Sequence, residues 1–421
     1  MNEIPRSKSY RKPSRIRFRP SHLYKIRISR ASSGEQLPLL VAADSGLPLL
    51  RPNQFILVAR RDRCQVATLK ADLGALALVL GWAHHYGVDL DELIESGRGL
   101  DQHAVVSLVD ALRVDYRNSR SHGNVSSLAL ALVIADTWAN RIAIARDFLA
   151  WNLADVLSKC EPGTLRYQHI RERRDGFIRA MNARIPRSHP SSHRKGLSAE
   201  LKSRLALVVT PGSPENPFQL ALQERNALII DVLQTLGVRR AELCKLRTSD
   251  FRPGPKPTLS VVRLPDDPDD PRLHQPQVKT LSRMLPLDAR LAGRLQRYIV
   301  KDRRELPNAN RTPFLFLART GKPIALSTVN NIFKQISLWH REFAGLLSPH
   351  VLRHTANDDL SETLNAVECG PELAKEIRNF LNGWDPDSSQ GIKYNRRYLE
   401  TKAAEVSLAH QRRLFDRDVL Q

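Results

Sequence analysis

The sequence has few cysteines, and none are arranged to bind zinc. The four are far apart and form no CxxC or Cys/His pair; they are Cys64, Cys160, Cys244 and Cys369. This spacing excludes a disulfide-stapled secreted module and a zinc finger. We therefore expect reduced thiols in a cytoplasmic protein.

Long hydrophobic runs are also scarce. The longest, from Leu73 to Ala83, is bounded by Asp72 and His84, whereas a membrane-spanning helix needs roughly 20 apolar residues. The N-terminus is polar and arginine-rich, without the apolar core of a signal peptide. The sequence also contains no phosphate-binding GxxxxGK[ST] loop and no clustered acidic metal site. We therefore expect no membrane segment, no metal and no cofactor.

Acidic residues are too few to balance the basic ones. The 421 residues include 65 Lys and Arg against 44 Asp and Glu, which gives a formal net charge of +21. Such a surplus attracts polyanions, of which nucleic acid is the commonest soluble example. The charge indicates a class of partner and leaves the activity open. With 42% hydrophobic residues, the length suits two or three folded domains.

The N-terminal segment, residues 1–55, begins with a strongly basic stretch. Its first 30 residues hold ten Lys and Arg and one acidic residue, Glu3. Because periodic apolar residues are few there, we predict a basic arm. It is either a solvated, disordered leader or an arm that contacts phosphates.

Residues 56–180 have the pattern of a compact, all-helical domain. Four segments carry apolar residues at intervals of three and four, and they are Val66–His85, His103–Tyr116, Val125–Ala139 and Arg141–Leu157. The aromatic residues are in phase with Leu and Ala, so we expect them in the core. The following stretch, ARIPRSHPSSHRKG at 183–196, has no apolar period. We predict a basic interdomain linker over residues 181–197.

Residues 198–421 mix helices with short strands. A buried helix is predicted at Glu224–Leu236, ending at Gly237, and Ser327 is predicted to cap a helix that runs to about Trp339. The predicted strands, the first two separated by a PDDPDDP loop, are Thr258–Leu264, Gln277–Leu287 and Phe314–Leu317. The fold class is therefore α+β, mostly helical, with a small antiparallel sheet in this second domain.

Two segments of this domain offer a basic group for phosphate chemistry. In GVRRAELCKL, residues 237–246, Arg239 and Glu242 lie three apart and so share one side of a helix. Such a pair is ordinarily a surface ion pair, but Glu242 could instead orient a basic group while Arg239 faces a cleft. Lys279 lies in the predicted returning strand, where a flexible ammonium can supply a proton and a guanidinium almost never can.

Two further segments add a phosphate clamp, a base and a nucleophile. SPHVLRHTAN, residues 348–357, places His350 and Arg353 on one helical face. A guanidinium fork binds two phosphate oxygens, and a histidine transfers protons near neutral pH. A helix with two histidines is otherwise usually structural. LNGWDPDSSQGIKYNRRYL, residues 381–399, holds the Gly-Trp turn at Trp384 and two tyrosines, Tyr394 and Tyr398.

Taken in order, these segments resemble the tyrosine recombinases of the phage-integrase family. The glycine, apolar and arginine run followed by Glu and Leu resembles the motif of the first catalytic arginine and assigns it to Arg239 rather than Arg240. The His-x-x-Arg-His sequence resembles the family's signature box, and a Leu-Gly-His or Leu-Gly-Trp turn precedes its nucleophile. The resemblance covers residues 197–400 and, more loosely, the helical domain, which looks like the family's core-binding domain.

The resemblance implies a role for each residue. Arg239 and Arg353 would clamp the phosphate, His350 would accept or relay the tyrosine proton, and Trp384 would brace the phosphate side. Lys279, on a β-hairpin, would protonate the departing 5′ oxygen. The usual interval after the Gly-Trp turn ends at Lys393, so we expect the next residue, Tyr394, to be the nucleophile. Tyr398 is the alternative.

The resemblance also implies the reaction and the partners. Double-stranded DNA would be cut and rejoined through a 3′-phosphotyrosyl link, without ATP or metal, by a homotetramer on paired sites at the nucleoid. An amphipathic stretch, Glu400–Leu414, would either be exchanged between protomers or fold on its own domain. Two other hypotheses stay open: a DNA-binding protein that does not cleave, and a type IB topoisomerase.

Overall fold

The chain divides into two compact units, residues 1–191 and 192–421. The computed structural model describes residues 20–116, 131–187, 195–388, 398 and 401–408. The boundary between the units falls within the predicted linker segment, 181–197. The fold is mostly helical with a small antiparallel sheet in the second unit, as the sequence predicts.

A β-hairpin lies within the predicted N-terminal arm, so the arm prediction is wrong for the described residues after 19. After a short helix, α1 (Pro20–Leu23), strand β1 (Tyr24–Arg30) pairs antiparallel with β2 (Gln36–Ala42). Leu40 of β2 is fully buried in the core of this unit. The basic residues of β1 alternate with Ile26 and Ile28 and occupy its exposed face, so their charge conceals a strand pattern. Residues 1–19 lie outside the described part of the chain.

The α-helices that follow in the described part of the N-terminal unit are α2 (Leu50–Phe55), α3 (Val66–Tyr86), α4 (Leu90–Glu95), α5 (Gln102–Arg113), α6 (Ala135–Ser158) and α7 (Leu165–Asn182). Trp82 and Phe148 are buried in its core, as predicted. By length and composition α3 could cross a membrane, but 61% of its most apolar window is buried inside the protein. A burial of this kind is typical of a core helix.

The prediction of a break between two helices, Val125–Ala139 and Arg141–Leu157, is wrong. Within the described residues, α6 runs without a break from Ala135 to Ser158. The residues just before it are extended, because Leu132 forms a β-bridge with Val114 and Ile134 has extended backbone angles. Pairing with a distant segment has overridden the local helical period.

The C-terminal unit packs its helices around α9. The helices are α8 (Ala199–Val209), α9 (Leu220–Leu236), α10 (Arg240–Lys245), α11 (Ala289–Val300), α12 (Leu326–Trp339), α13 (Pro349–Ala366) and α14 (Pro371–Asn382). Ile229, Val232 and Leu233 of α9 are fully buried. Three short strands, β3 (Phe251–Arg252), β4 (Thr258–Val261) and β5 (Arg283–Pro286), form an antiparallel sheet in the order β3-β4-β5.

The structure shortens the predicted strands of this unit. Only Thr258–Val261 and Arg283–Pro286 pair, so Lys279 lies in a loop segment and not on a strand. Residues 314–317 form isolated β-bridges rather than a strand. The N-cap of α12 is Ala325, and Ser327 therefore lies in its first turn. In the loop after β4, Asp267 pairs with Lys245 and Arg247, and Asp270 pairs with Arg272. These ion pairs hold the loop in place without further strand pairing.

Candidate active site

The junction between α9 and α10 places Arg239. Gly237 ends α9 with a left-handed backbone, φ +59°, a conformation that favours glycine. Arg239 is the N-cap of α10, and its backbone N–H donates to the Glu242 carboxylate at 2.8 Å. The Arg239 side chain is 28% exposed, and its Nη1 lies 3.6 Å from Glu242 Oε1. Within the described residues that buried nitrogen makes no hydrogen bond, so it retains an unused donor.

Glu242 is the buried carboxylate at the centre of the cluster. It is 1% exposed and also accepts hydrogen bonds from Thr280 Oγ1 at 2.5 Å and Arg283 Nη2 at 2.8 Å. Burial alone would raise the pKa of this carboxyl. The charge and hydrogen bond of Arg283, the charge of Arg353 and the Thr280 hydroxyl outweigh it, so the pKa lies below its ordinary value. Glu242 is therefore ionised at neutral pH and balances buried arginines.

Arg283 is a member of the cluster that sequence reasoning did not assign. Its side chain is 1% exposed, and its Nε donates to the carbonyl of Leu381, at the end of α14, at 2.8 Å. Arg283 thereby joins the buried Glu242 to the Gly-Trp turn that follows α14. The only sequence signal was its place at the start of a strand that ends in LPL.

Arg353 projects from α13 towards the C-terminal ends of α9 and α14. It is 1% exposed. Its Nη1 donates to the carbonyl of Gly237, and its Nη2 lies 3.4 Å from the carbonyl of Asn382. Its guanidinium carbon lies 5.4 Å from the centre of the Trp384 ring, a cation–π contact. The predicted helical face of the HxxRH segment thus brings Arg353, Trp384 and the end of α9 together.

The two histidines of α13 contact each other. His350 is exposed, His354 is 5% exposed, and their Nε2 atoms lie 3.2 Å apart with the rings edge to face. At that distance one nitrogen must donate and the other must accept. The pair therefore holds one proton between its Nε2 atoms, and the tautomer of His350 depends on that of His354.

The Gly383–Trp384 turn docks against the segment before β5. The backbone N–H of Leu281 donates to the Gly383 carbonyl, and the backbone N–H of Trp384 donates to the Asn379 carbonyl, both at 2.9 Å. The side-chain amides of Asn357 and Asn382 bond each other at 2.8 and 3.2 Å, which links α13 to α14. These contacts hold Trp384, 5% exposed, beside Arg353.

We expect Gly383→Ala to lower the free energy of unfolding more than Gly87→Ala, which is its matched control. Both glycines cap helices with φ 63° and ψ 35°, so both alanines carry left-handed strain of about 1–2 kcal/mol. A Cβ at Gly87 has open space, whereas one at Gly383 lies 2.7 Å from Arg283 Nη1 and 2.8 Å from the Leu281 carbonyl. Overpacking then adds about 1–3 kcal/mol.

Chemical unfolding of the two variants measures the difference. Equal losses of unfolding free energy would contradict the close docking of the Gly-Trp turn.

The structure thus brings Arg239, Arg353 and Trp384 into one cluster. His350 lies on the same helix as Arg353, and exposed Lys279 precedes the Thr280 that binds Glu242. Tyr394 lies outside the described residues. The backbone N–H of Tyr398 donates to Asp358 Oδ1 of α13 at 3.2 Å. The choice between the two tyrosines stays a prediction.

A protein-family model matches part of the C-terminal unit. Residues 215–365 match the family model described as the phage integrase family. No curated protein matches the chain. Solved structures similar to it include a XerH site-specific recombinase bound to its palindromic difH substrate, with 14% identity, TM-score 0.40 and coverage of 73% of this chain and 85% of that one. A lambda integrase dimer bound to a COC′ core site shares 14% identity at TM-score 0.35, covering 88% and 94%. The family match identifies residues 215–365, which hold Arg239, Lys279, His350 and Arg353, as a phage integrase family domain.

Proposed function

We propose that the protein is a site-specific recombinase that cuts and rejoins double-stranded DNA through a 3′-phosphotyrosyl intermediate. The observation that carries the proposal is the convergence of separate segments of the phage integrase domain on one buried carboxylate. Glu242 contacts Arg239 and Arg283 and is stabilised by the charge of Arg353. A helix-surface ion pair, the plainer interpretation of Arg239 and Glu242, does not account for a carboxylate that is 1% exposed.

Arg239 and Arg353 supply charge at the point where the transition state becomes more negative. Donors that are already oriented in a partly desolvated site stabilise such charge with little reorganisation. The Arg239 side chain is 28% exposed, while Arg353 is buried and is fixed by two backbone carbonyls and the Trp384 ring. In the proposed reaction both bind the non-bridging oxygens of the scissile phosphate, and Trp384 braces that side.

The nucleophile and the proton transfers complete the proposed step. A phenol of pKa about 10 is a weak nucleophile at neutral pH, so His350 accepts the proton of Tyr394 as the tyrosine oxygen attacks phosphorus. The bond from phosphorus to the 5′ oxygen breaks, and Lys279 protonates that oxygen. A 5′ hydroxyl from another strand reverses the step. Because the link conserves the bond energy, the exchange needs neither ATP nor a metal ion.

Double-stranded DNA is the proposed partner of both units. The net charge is +21, and α7 of the N-terminal unit carries four exposed arginines, Arg166, Arg171, Arg173 and Arg179. Phosphate contacts of this kind position a protein on DNA without reading its sequence. We further propose that the active species is a homotetramer on paired sites, acting in the cytoplasm at the nucleoid.

Covalent capture of genomic fragments tests the proposed function. The protein is incubated with sheared genomic DNA in EDTA without nucleotide, denatured with SDS, and the DNA that remains attached is sequenced. We expect enrichment of one or a few sequences with the wild type and none with Arg353→Lys. Recovery of no DNA would favour a protein that only binds DNA, and recovery of unrelated sequences throughout the genome would favour a type IB topoisomerase.

A further inference from the structure

Lys279 extends from a backbone segment that is buried on both sides of it. Lys279 itself is exposed, while Val278 before it is 6% exposed and Thr280 after it is 3% exposed. The segment lies outside the β-ladder, since β5 begins only at Arg283. Contacts other than strand pairing therefore fix the position of this lysine, among them the backbone hydrogen bond from Leu281 to Gly383.

The first anchor follows Lys279 directly. Thr280 Oγ1 donates to Glu242 Oε1 at 2.5 Å and lies 3.3 Å from Arg283 Nη1. The other oxygen of the same carboxylate accepts the backbone N–H of Arg239 at 2.8 Å. Two hydrogen bonds through Glu242 thus connect the residue beside Lys279 to the backbone of Arg239.

The second anchor precedes Lys279 by four residues. Gln275, 6% exposed, donates through Nε2 to the Asp267 carbonyl at 2.7 Å and accepts the Asp267 N–H at 3.2 Å. The buried Asp267 carboxylate pairs with Lys245 at 3.2 Å. Arg272 binds Asp270 with two hydrogen bonds of 2.7 Å and donates to the Cys244 carbonyl at 3.0 Å.

Both anchors end on the same short helix. Glu242, Cys244 and Lys245 all belong to α10, whose N-cap is Arg239. A helix of six residues is stiff, so the distance between the Lys279 backbone and the Arg239 backbone is fixed by one element. This arrangement differs from a lysine carried by the tip of a free hairpin.

From these contacts we propose that α10 sets Lys279 and Arg239 as one unit, and that Thr280 is a positioning residue for proton donation by Lys279. The inference rests on the proposed function. As the tyrosine oxygen bonds to phosphorus and the bond from phosphorus to the 5′ oxygen breaks, a proton passes from the Lys279 ammonium to that oxygen. Thr280 touches neither the DNA nor the proton and acts through the place it gives Lys279.

The test compares oxygen and sulfur as the leaving atom. A 5′ hydroxyl resembles water, is a far weaker acid than a thiol and needs a proton to depart, whereas a thiol of pKa about 8.5 departs as the thiolate. Single-turnover covalent-adduct formation is measured on the captured sequence, made with a 5′-bridging oxygen or a 5′-bridging sulfur. The proteins are the wild type, Lys279→Ala, Thr280→Val and Thr280→Ser, each checked for thermal unfolding and DNA binding.

We expect Thr280→Val to slow cleavage of the oxygen substrate by about 10- to 100-fold, because misplaced acids lose much of their effect. On the sulfur substrate Thr280→Val and Lys279→Ala should both approach the wild-type rate, and Thr280→Ser should retain most activity on either one. Equal slowing of Thr280→Val on both substrates would overturn the inference, because Thr280 would then serve the arginines. Full activity of Thr280→Val on oxygen would overturn it as well. Absence of any adduct with the wild type would instead refute the proposed function on which the inference rests.

Discussion

Arg353→Lys is expected to lower the rate of covalent-adduct formation by about 100-fold or more, the effect of losing one oriented donor at a developing charge. Lysine keeps the positive charge next to Glu242 but loses the planar fork. It cannot reach the Gly237 and Asn382 carbonyls and stack on Trp384 as the guanidinium does. The measurement is a single-turnover cleavage rate on DNA that carries the captured site.

Arg303→Lys is the matched control for this change. Arg303 is also a buried arginine of the C-terminal unit, 5% exposed, and its guanidinium donates to the backbone carbonyls of Thr312, Phe314 and Leu315. We expect it to lose stability without a specific loss of cleavage. If Arg353→Lys cleaved within a few-fold of Arg303→Lys, Arg353 would have no special role in the reaction.

Glu242→Gln is expected to lower the unfolding free energy of the C-terminal unit by about 3–5 kcal/mol, the usual cost of removing one partner from a buried ion pair. The amide keeps the shape of the side chain but leaves Arg283, 1% exposed, without its counter-charge. Chemical unfolding measures the loss. Glu342→Gln is the control, because Glu342 pairs with Arg204 at the surface, where removal of a carboxylate should change stability little. Similar losses in the two variants would contradict the buried role of Glu242.

The stability difference between the wild type and Glu242→Gln is expected to depend on pH. The folded-state pKa of Glu242 lies below its ordinary value of 4.5, so its contribution is fully present above about pH 4.5 and is lost as the pH falls through the folded-state pKa. The stability gap between the wild type and Glu242→Gln should therefore be largest near neutral pH and should shrink in acid. Unfolding at a series of pH values measures that gap. A gap that stayed constant below pH 4.5 would contradict the ionised state of Glu242.

Local sequence patterns were sufficient to predict the helices that carry candidate site residues. The apolar period and Gly237 predict the end of α9, which the structure confirms, and the segment that holds His350 and Arg353 forms helix α13. The mostly helical fold with a small antiparallel sheet is likewise confirmed. The helices and their ends depend on residues only a few positions apart.

Contacts between distant segments were beyond the sequence patterns. Arg283 and Glu242 are 41 residues apart, and no local period shows that one will neutralise the other. The strand expected to carry Lys279 is replaced by a loop, which a contact with a distant residue holds in place, the hydrogen bond from Thr280 to Glu242. The N-terminal hairpin was concealed because the charges of β1 outnumber its two isoleucines.

The central claim, strand cleavage by a tyrosine nucleophile, is tested most directly with a nicked suicide substrate that carries the captured site. The wild type, Tyr394→Phe and Tyr398→Phe are incubated with it, and covalent adducts are resolved by denaturing electrophoresis. We predict an adduct with the wild type and Tyr398→Phe and none with Tyr394→Phe. An adduct that persists in Tyr394→Phe and disappears in Tyr398→Phe would transfer the role to Tyr398, and no adduct with the wild type would contradict the account as a whole.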